Sequence, residues 1–234
     1  MPLMNDHTDP VSPLTDVWLV IPLYNEAPVV RGVIEGARRV FPHVVVVDDG
    51  STDSSAAEAA AAGAVVVRHP VNLGQGAALQ TGFTYVLERT SARWAVTFDA
   101  DGQHSVDDAA TMVEHSRKED LGFVLGSRFL DGSTQVGWAK RLVLRTAAAV
   151  SSHSSGMRLT DAHNGLRVIR RDALERVQLR QNRMAHASEI VRQLGATGLA
   201  WAEHPVRIAY TEYSRAKGQS LWNSVNILVD LVFS

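Results

Sequence analysis

An α/β domain with a mostly parallel sheet flanked by helices is the fold class that this 234-residue sequence predicts. Short β-branched apolar runs alternate with longer segments of helical spacing, the pattern of strands joined by crossover helices. Two of those runs end directly in acidic turns, Asp48-Asp49-Gly50 and Asp99-Ala100-Asp101-Gly102. In open parallel sheets the carboxyl ends of the strands are where ligands bind.

Each element follows from local pattern. Val17 to Leu23, VWLVIPL, is short and apolar as a strand buried on both faces should be, and Tyr24-Asn25-Glu26 follows it. Val29 to Val40 has helical spacing, with Val30, Val33, Ile34 and Ala37 as its inward set and Pro42 as its stop. Val44 to Val47 is the next strand, and its Asp48 to Asp53 turn can cap an Ala-rich helix that reaches Gly63. Then come a strand at Ala64 to Arg68, a helix at Gly74 to Glu88 and a strand at Trp94 to Phe98. Val106 to Lys118 is a helix, Gly122 to Gly126 a strand and Lys140 to Ser152 a helix with a basic start. The alternation continues with a strand at Gly165 to Ile169, a helix through Glu189 to Leu194 and a strand at Ala202 to Tyr210.

Composition narrows the function classes. With 45% hydrophobic and 21% charged residues the chain resembles an average globular domain, one catalytic unit of residues 17–210. A net charge of −2 gives no general attraction to nucleic acid, so a nucleic-acid partner is not expected. The absence of cysteine excludes disulfides, thiolate catalysis and Cys-zinc sites, and fits a reducing cytoplasm. Residues 1–16 read as a flexible leader without the blocks of a secretory signal. No apolar run reaches the ~20 residues of a spanning helix.

Two side chains at Asp99 and Asp101 can reach one divalent cation, because like charges so close need neutralising, and an oxygen-liking Mg²⁺ or Mn²⁺ suits carboxylates plus a diphosphate. Alone, this pattern is equally well a solvated acidic turn. Asp48-Asp49 is similarly ambiguous alone, but two acidic strand ends in one sheet converge on the same edge. There one can hold a nucleotide and the other its metal. The glycines of Asn72-Leu73-Gly74-Gln75-Gly76 can let the backbone approach a ligand, with an ordinary helix entry as the competing reading. Of the histidines, His104 can line the site, whereas His69, His115 and His153 read as surface or packing residues. Glu189 is either a site-facing base or an ordinary helix carboxylate.

The order of these pieces resembles glycosyltransferase family 2, in its polyprenyl-phosphate hexose synthase branch, which includes dolichyl-phosphate mannose synthases. The matching stretches are Ile21-Pro22-Leu23-Tyr24-Asn25-Glu26, Val47 to Asp53, Asn72 to Gly76, Asp99-Ala100-Asp101-Gly102-Gln103-His104 and Gly126-Ser127-Arg128-Phe129. The resemblance implies a GT-A fold, a Rossmann-like mostly parallel sheet flanked by helices. It implies a nucleotide-sugar donor of the GDP-mannose or UDP-glucose type, contacted by Pro22, Tyr24, Glu26, Asp49 and Gly76. It implies Mg²⁺ or Mn²⁺ held by Asp99, Asp101 and Gln103, and transfer with inversion. Asp101, Arg128 and Arg141 are the expected catalytic set, the two arginines holding the acceptor phosphate. Ser214-Arg215-Ala216-Lys217 resembles a late basic loop that closes over donor phosphates, with Arg215 and Lys217 as its cations.

The acceptor expected from this resemblance is polyprenyl phosphate. Such an acceptor is already anionic and needs no strong base, so positioning and charge neutralisation dominate. A hydroxyl acceptor, a non-catalytic sugar-nucleotide-binding module and a nucleotidyltransferase are the competing readings. Residues 211–234 are expected as a basic loop and an apolar C-terminal helix that lies on a membrane surface or docks into the core. With a lipid acceptor, peripheral attachment at the inner face of the cell membrane, directly or through a membrane-protein partner, is the expected location.

Overall fold

The first strand, β1 (Val17–Leu23), buries alternate side chains on opposite sides, and that division organises the domain. In the computed structural model, which describes residues 14–130, 156–161, 164–183 and 185–209, Leu19 and Ile21 join one core and Val20 the other. Residues two apart on a strand share a face, so an uninterrupted apolar run needs helices on both sides. The chain supplies them in order: α1 (Val30–Ala37), β2 (His43–Asp48), α2 (Ser55–Ala61), β3 (Val65–Arg68), α3 (Gln75–Arg89) and β4 (Trp94–Thr97). After these come α4 (Val106–Lys118), β5 (Phe123–Ser127), β6 (Arg167–Arg170), α5 (Arg171–Leu174), α6 (His186–Ala196) and β7 (Trp201–Pro205).

The strands form one sheet in the order β3-β2-β1-β4-β6-β5-β7. β1 is parallel to β2 and β4, β2 to β3, and β5 to β7, while β6 runs antiparallel between β4 and β5. Ile34 of α1 and Met112 and Val113 of α4 pack on one face; Leu79 and Phe83 of α3 and Ile190 of α6 pack on the other. Removing a side chain such as Phe83 from water stabilises the fold by roughly 1.5–3 kcal/mol. α4 is specified at both ends: Ser105 Oγ accepts from Asp108 N at 3.2 Å, acidic Asp107 and Asp108 sit in its first turn, and Arg117 and Lys118 in its last.

Element by element the expected order holds, with three differences. The short α5 has too few residues for a periodic signal. The strand expected at Ala202 to Tyr210 ends at Pro205, beyond which Ile208 forms an isolated bridge with His104. β6 reverses the expected parallel run, which apolar content alone does not encode. The Lys140 to Ser152 helix, most of the leader and all of segment 211–234 lie outside the described residues. Among the described residues no helix is long and apolar enough to cross a membrane.

Candidate active site

The ends of β1 and β2 are stitched together before any ligand is considered. Asn25 N donates to Ser51 Oγ at 3.0 Å, Thr52 N to Asn25 Oδ1 at 2.9 Å and Glu26 N to Ser55 Oγ at 2.7 Å. Ala27 N donates to Asp53 Oδ2 at 3.2 Å. These bonds fix where Tyr24 and Glu26 emerge. Asp48 turns inward as a strut, accepting from Ser51 N at 3.2 Å and from Arg68 Nε at 3.0 Å. Asp49 instead reaches across to the entry of α3, accepting from Leu73 N at 2.9 Å and Gly74 N at 2.7 Å. His69 completes this wall: Nδ1 lies 2.7 Å from Asp49 Oδ1 and Nε2 lies 2.9 Å from Thr81 Oγ1. A carboxylate only accepts, so Nδ1 carries a proton and donates it to Asp49. His69 is a half-buried packing residue that braces Asp49 from behind, one of the two roles expected of it.

The end of β4 supplies the facing wall. Asp99 Oδ2 is 2.9 Å from His104 Nε2, and Gln75 Nε2 donates to Asp99 Oδ1 at 3.3 Å. Burial alone would raise the Asp99 carboxyl, but its interactions with His104, Arg167 and His186 hold it below the ordinary value. Asp101 moves the other way, raised by burial and then by the charges of Asp99 and Glu26, against a hydrogen bond from Gln103 N. A crowded carboxylate of this kind is relieved by a cation. Among the described residues no three acidic or imidazole groups form a ready-made cage. Two carboxylates with positions left for water and a diphosphate still fit a hard divalent cation.

Between these walls lies a cleft of about 380 Å³. Pro22, Tyr24, Glu26, Asp49, Asp99 and Asp101 all line it, so six expected site residues from three strand ends meet in one space. Gln103 stands beside them through its backbone, its N bonded to Asp101 and its O accepting from Ala209 N at 2.9 Å.

Gly76 is not at the cleft, contrary to expectation. Its N donates to Asn182 O at 2.9 Å, and a Cβ there would lie 2.0 Å from Gln181 O, so its missing side chain serves the approach of segment 181–182. Glu189 is not among the residues that line the cleft. Its Oε2 accepts from Arg180 N at 2.9 Å and Gln181 N at 2.8 Å, which makes it a buried structural acceptor.

Arg128 emerges from the end of β5 in a fork with Asp161, Nε to Oδ2 at 2.6 Å and an Nη to Oδ1 at 2.8 Å. Glu203 of β7 holds that partner in turn, accepting from Thr160 N at 2.9 Å and Asp161 N at 3.1 Å. Arg141, Arg215 and Lys217 lie outside the described residues.

Sequence reasoning missed Arg167 and His186. Arg167 did carry a signal, a charge within the apolar run expected at Gly165 to Ile169. Nothing in the spacing pointed to His186, whereas Gln75 lies in the glycine-containing segment expected near a ligand.

The sequence profile of glycosyl transferase family 2 matches residues 18–178. A UDP-N-acetylglucosamine–dolichyl-phosphate N-acetylglucosaminyltransferase of Methanococcus voltae is 28% identical over 238 residues, covering 92% of this chain and 94% of its own. The polyprenol monophosphomannose synthase of Mycolicibacterium smegmatis is 33% identical over 181 residues, covering 72% of this chain and 67% of its own. Glucosyl-3-phosphoglycerate synthase from Mycobacterium tuberculosis was solved with Mn²⁺, uridine diphosphate and glucosyl-3-phosphoglycerate. It superposes with a TM-score of 0.63 at 18% identity, covering 92% of this chain and 79% of that one. That last likeness carries the fold alone.

Proposed function

Because the chain belongs to glycosyltransferase family 2 and has the GT-A fold, we propose that it transfers a hexosyl unit from a nucleotide sugar to a polyprenyl phosphate with inversion and divalent-metal dependence. The observation that carries this reading is the meeting of Asp49, Asp99 and Asp101 in one cleft. The names of the Methanococcus and Mycolicibacterium relatives support the acceptor class.

In this reading Pro22, Tyr24, Glu26 and Asp49 hold the nucleoside of a GDP-mannose- or UDP-glucose-type donor. Asp99 and Asp101, with Gln103, hold Mg²⁺ or Mn²⁺. When bound, the cation neutralises charge growing on the departing nucleoside diphosphate. Arg128, oriented by Asp161, faces the acceptor phosphate, and Arg141 joins it there. Arg215 and Lys217 close on the donor phosphates. A phosphate oxygen forms the new bond at the anomeric carbon as the bond to the diphosphate breaks on the opposite side. No proton needs removal from an anionic acceptor, and Glu189 is engaged in holding the backbone at residues 180 and 181. We further place residues 17–210 as the catalytic domain and 211–234 as a peripheral contact to the membrane or to a membrane-protein partner.

The test is transfer of radiolabel from GDP-mannose, UDP-glucose and UDP-N-acetylglucosamine to polyprenyl phosphate in detergent, with Mg²⁺, Mn²⁺ or chelator. Label entering the organic phase only with metal is the expected result. Transfer to sugar alcohols alone would establish a hydroxyl acceptor, and nucleotide-sugar binding without any transfer would establish a binding module.

A further inference from the structure

Away from the cleft, two histidines meet where α4 lies against the edge strand β7. His115, in the last turn of α4, and His204, in β7, bring their Nδ1 atoms to 3.3 Å, with ring centroids 5.4 Å apart. Neither lines the cleft. Both rings are half-buried, so solvent reaches the pair.

The outer nitrogens of both rings are already engaged. His115 Nε2 lies 3.4 Å from Glu119 Oε2, and a carboxylate only accepts, so that nitrogen carries a proton. His204 Nε2 lies 3.3 Å from Thr111 Oγ1. The single hydroxyl hydrogen of Thr111 is directed to the carbonyls of Asp107 and Asp108, at 3.1 and 2.9 Å, so toward the ring this oxygen accepts. With the proton of each neutral ring on Nε2, two bare Nδ1 lone pairs face one another. Their 3.3 Å separation also exceeds the ~2.9–3.0 Å of a good N–H hydrogen bond. Facing lone pairs repel unless a positive centre lies between them.

A metal ion suits this geometry. Two imidazole nitrogens bound to one tetrahedral Zn²⁺ at about 2.0–2.1 Å stand roughly 3.3–3.4 Å apart, the separation of this pair. Metal-bound histidines commonly donate their second ring N–H to an outer acceptor, and Glu119 and Thr111 stand in those positions. The carboxyl end of α4 adds the negative pole of a helix. We propose that His115 and His204 form a two-histidine site for a divalent ion of the zinc class. Among the described residues no third acidic or imidazole ligand joins them, so water fills the remaining positions. Imidazole nitrogen favours Zn²⁺, Ni²⁺ or Cu²⁺ over the oxygen-liking Mg²⁺ and Mn²⁺, which separates this site chemically from Asp99 and Asp101. Bound there, the ion ties edge strand β7 to α4 and adds to stability.

The test is titration of the untagged full chain with Zn²⁺, read by calorimetry and by melting temperature, beside His115→Ala, His204→Ala and Asp101→Asn. Wild type is expected to bind Zn²⁺ and to melt higher. Each histidine variant should lose at least about tenfold in affinity, the least that removing even an outer partner of a metal site brings, and most of the gain in melting temperature. Asp101→Asn should keep the binding event that the histidine variants lose. One equivalent of Cu²⁺ on wild type gives the same reading without a variant: its paramagnetic resonance spectrum should carry the splitting of two coordinated nitrogens. Equal Zn²⁺ affinity and equal melting gain in wild type and both histidine variants, or a Cu²⁺ spectrum without two-nitrogen splitting, overturns the site. Indifference of wild type to Zn²⁺ also overturns it, marking a pair held by a shared proton.

Discussion

His69 Nδ1 lies 2.7 Å from Asp49 Oδ1, and through the other ring nitrogen the same imidazole reaches Thr81 on α3. The acidic residue expected to touch the nucleoside is thus fixed from behind by a histidine anchored to a helix. His69→Ala removes both bonds and should destabilise the protein by about 1–3 kcal/mol. Leu73 N and Gly74 N still hold Asp49, so nucleotide affinity should fall only about threefold to tenfold, for roughly one lost positioning bond. Urea denaturation and nucleotide titration read the two effects separately; unchanged affinity would sink the positioning role.

Asp101→Asn should abolish metal-dependent transfer, by about a hundredfold or more on the scale of lost electrostatic stabilisation. The same substitution should leave the metal-free melting temperature unchanged or higher, because it removes a carboxylate crowded by Asp99 and Glu26. Wild type should gain stability on adding Mn²⁺ with nucleoside diphosphate, and the variant should gain less. A variant that melts early without metal would contradict this account.

Glu203 makes stability depend on pH in a set direction. Burial raises its carboxyl above 4.5, outweighing the hydrogen bonds from Thr160 and Asp161. The folded state then holds the proton more tightly than the unfolded chain, so this contribution is complete below the ordinary value and is lost as pH climbs through the folded one. Glu203→Ala should flatten that decline in the range above the ordinary carboxylate value. It should also lower stability throughout by about 1–3 kcal/mol, because Thr160 and Asp161 lose their acceptor. Denaturation curves for both proteins across the range give the difference directly.

Two glycines should separate folding from chemistry. At Gly76 an added Cβ would lie 2.0 Å from a backbone oxygen, so Gly76→Ala should destabilise by at least about 2 kcal/mol. At Gly165 it would lie 2.6 Å from Asp99 Oδ2, a side-chain atom that can swing away. Gly165→Ala should therefore cost more in turnover than in melting temperature. Calorimetry beside a transfer assay distinguishes them, and a Gly165 variant with normal turnover would argue against the position assigned to Asp99.

Much of this architecture was legible in the sequence because its cues are local. The run from Val17 to Leu23 and the capped segment from Val106 to Lys118 appear within the bounds their patterns implied. The acidic turns were legible as a pair because strand ends in a parallel sheet share an edge. The reversal of β6 was not, since apolar content does not encode direction. Gly76 misled because a glycine that admits a ligand and one that admits another stretch of backbone look alike in sequence. His69 was hidden because its importance depends on Asp49 and Thr81, which the fold and not the local pattern brings to it.

Because β6 runs against its neighbours, it begins at the rim where β4 and β5 finish. Within a few residues of chain, Asp161 grips Arg128 and Gly165 O receives the hydroxyl of Thr97. One reversed strand therefore delivers the partner of the Arg128 fork and the carbonyl that receives Thr97 to the same sheet edge as the acidic turns.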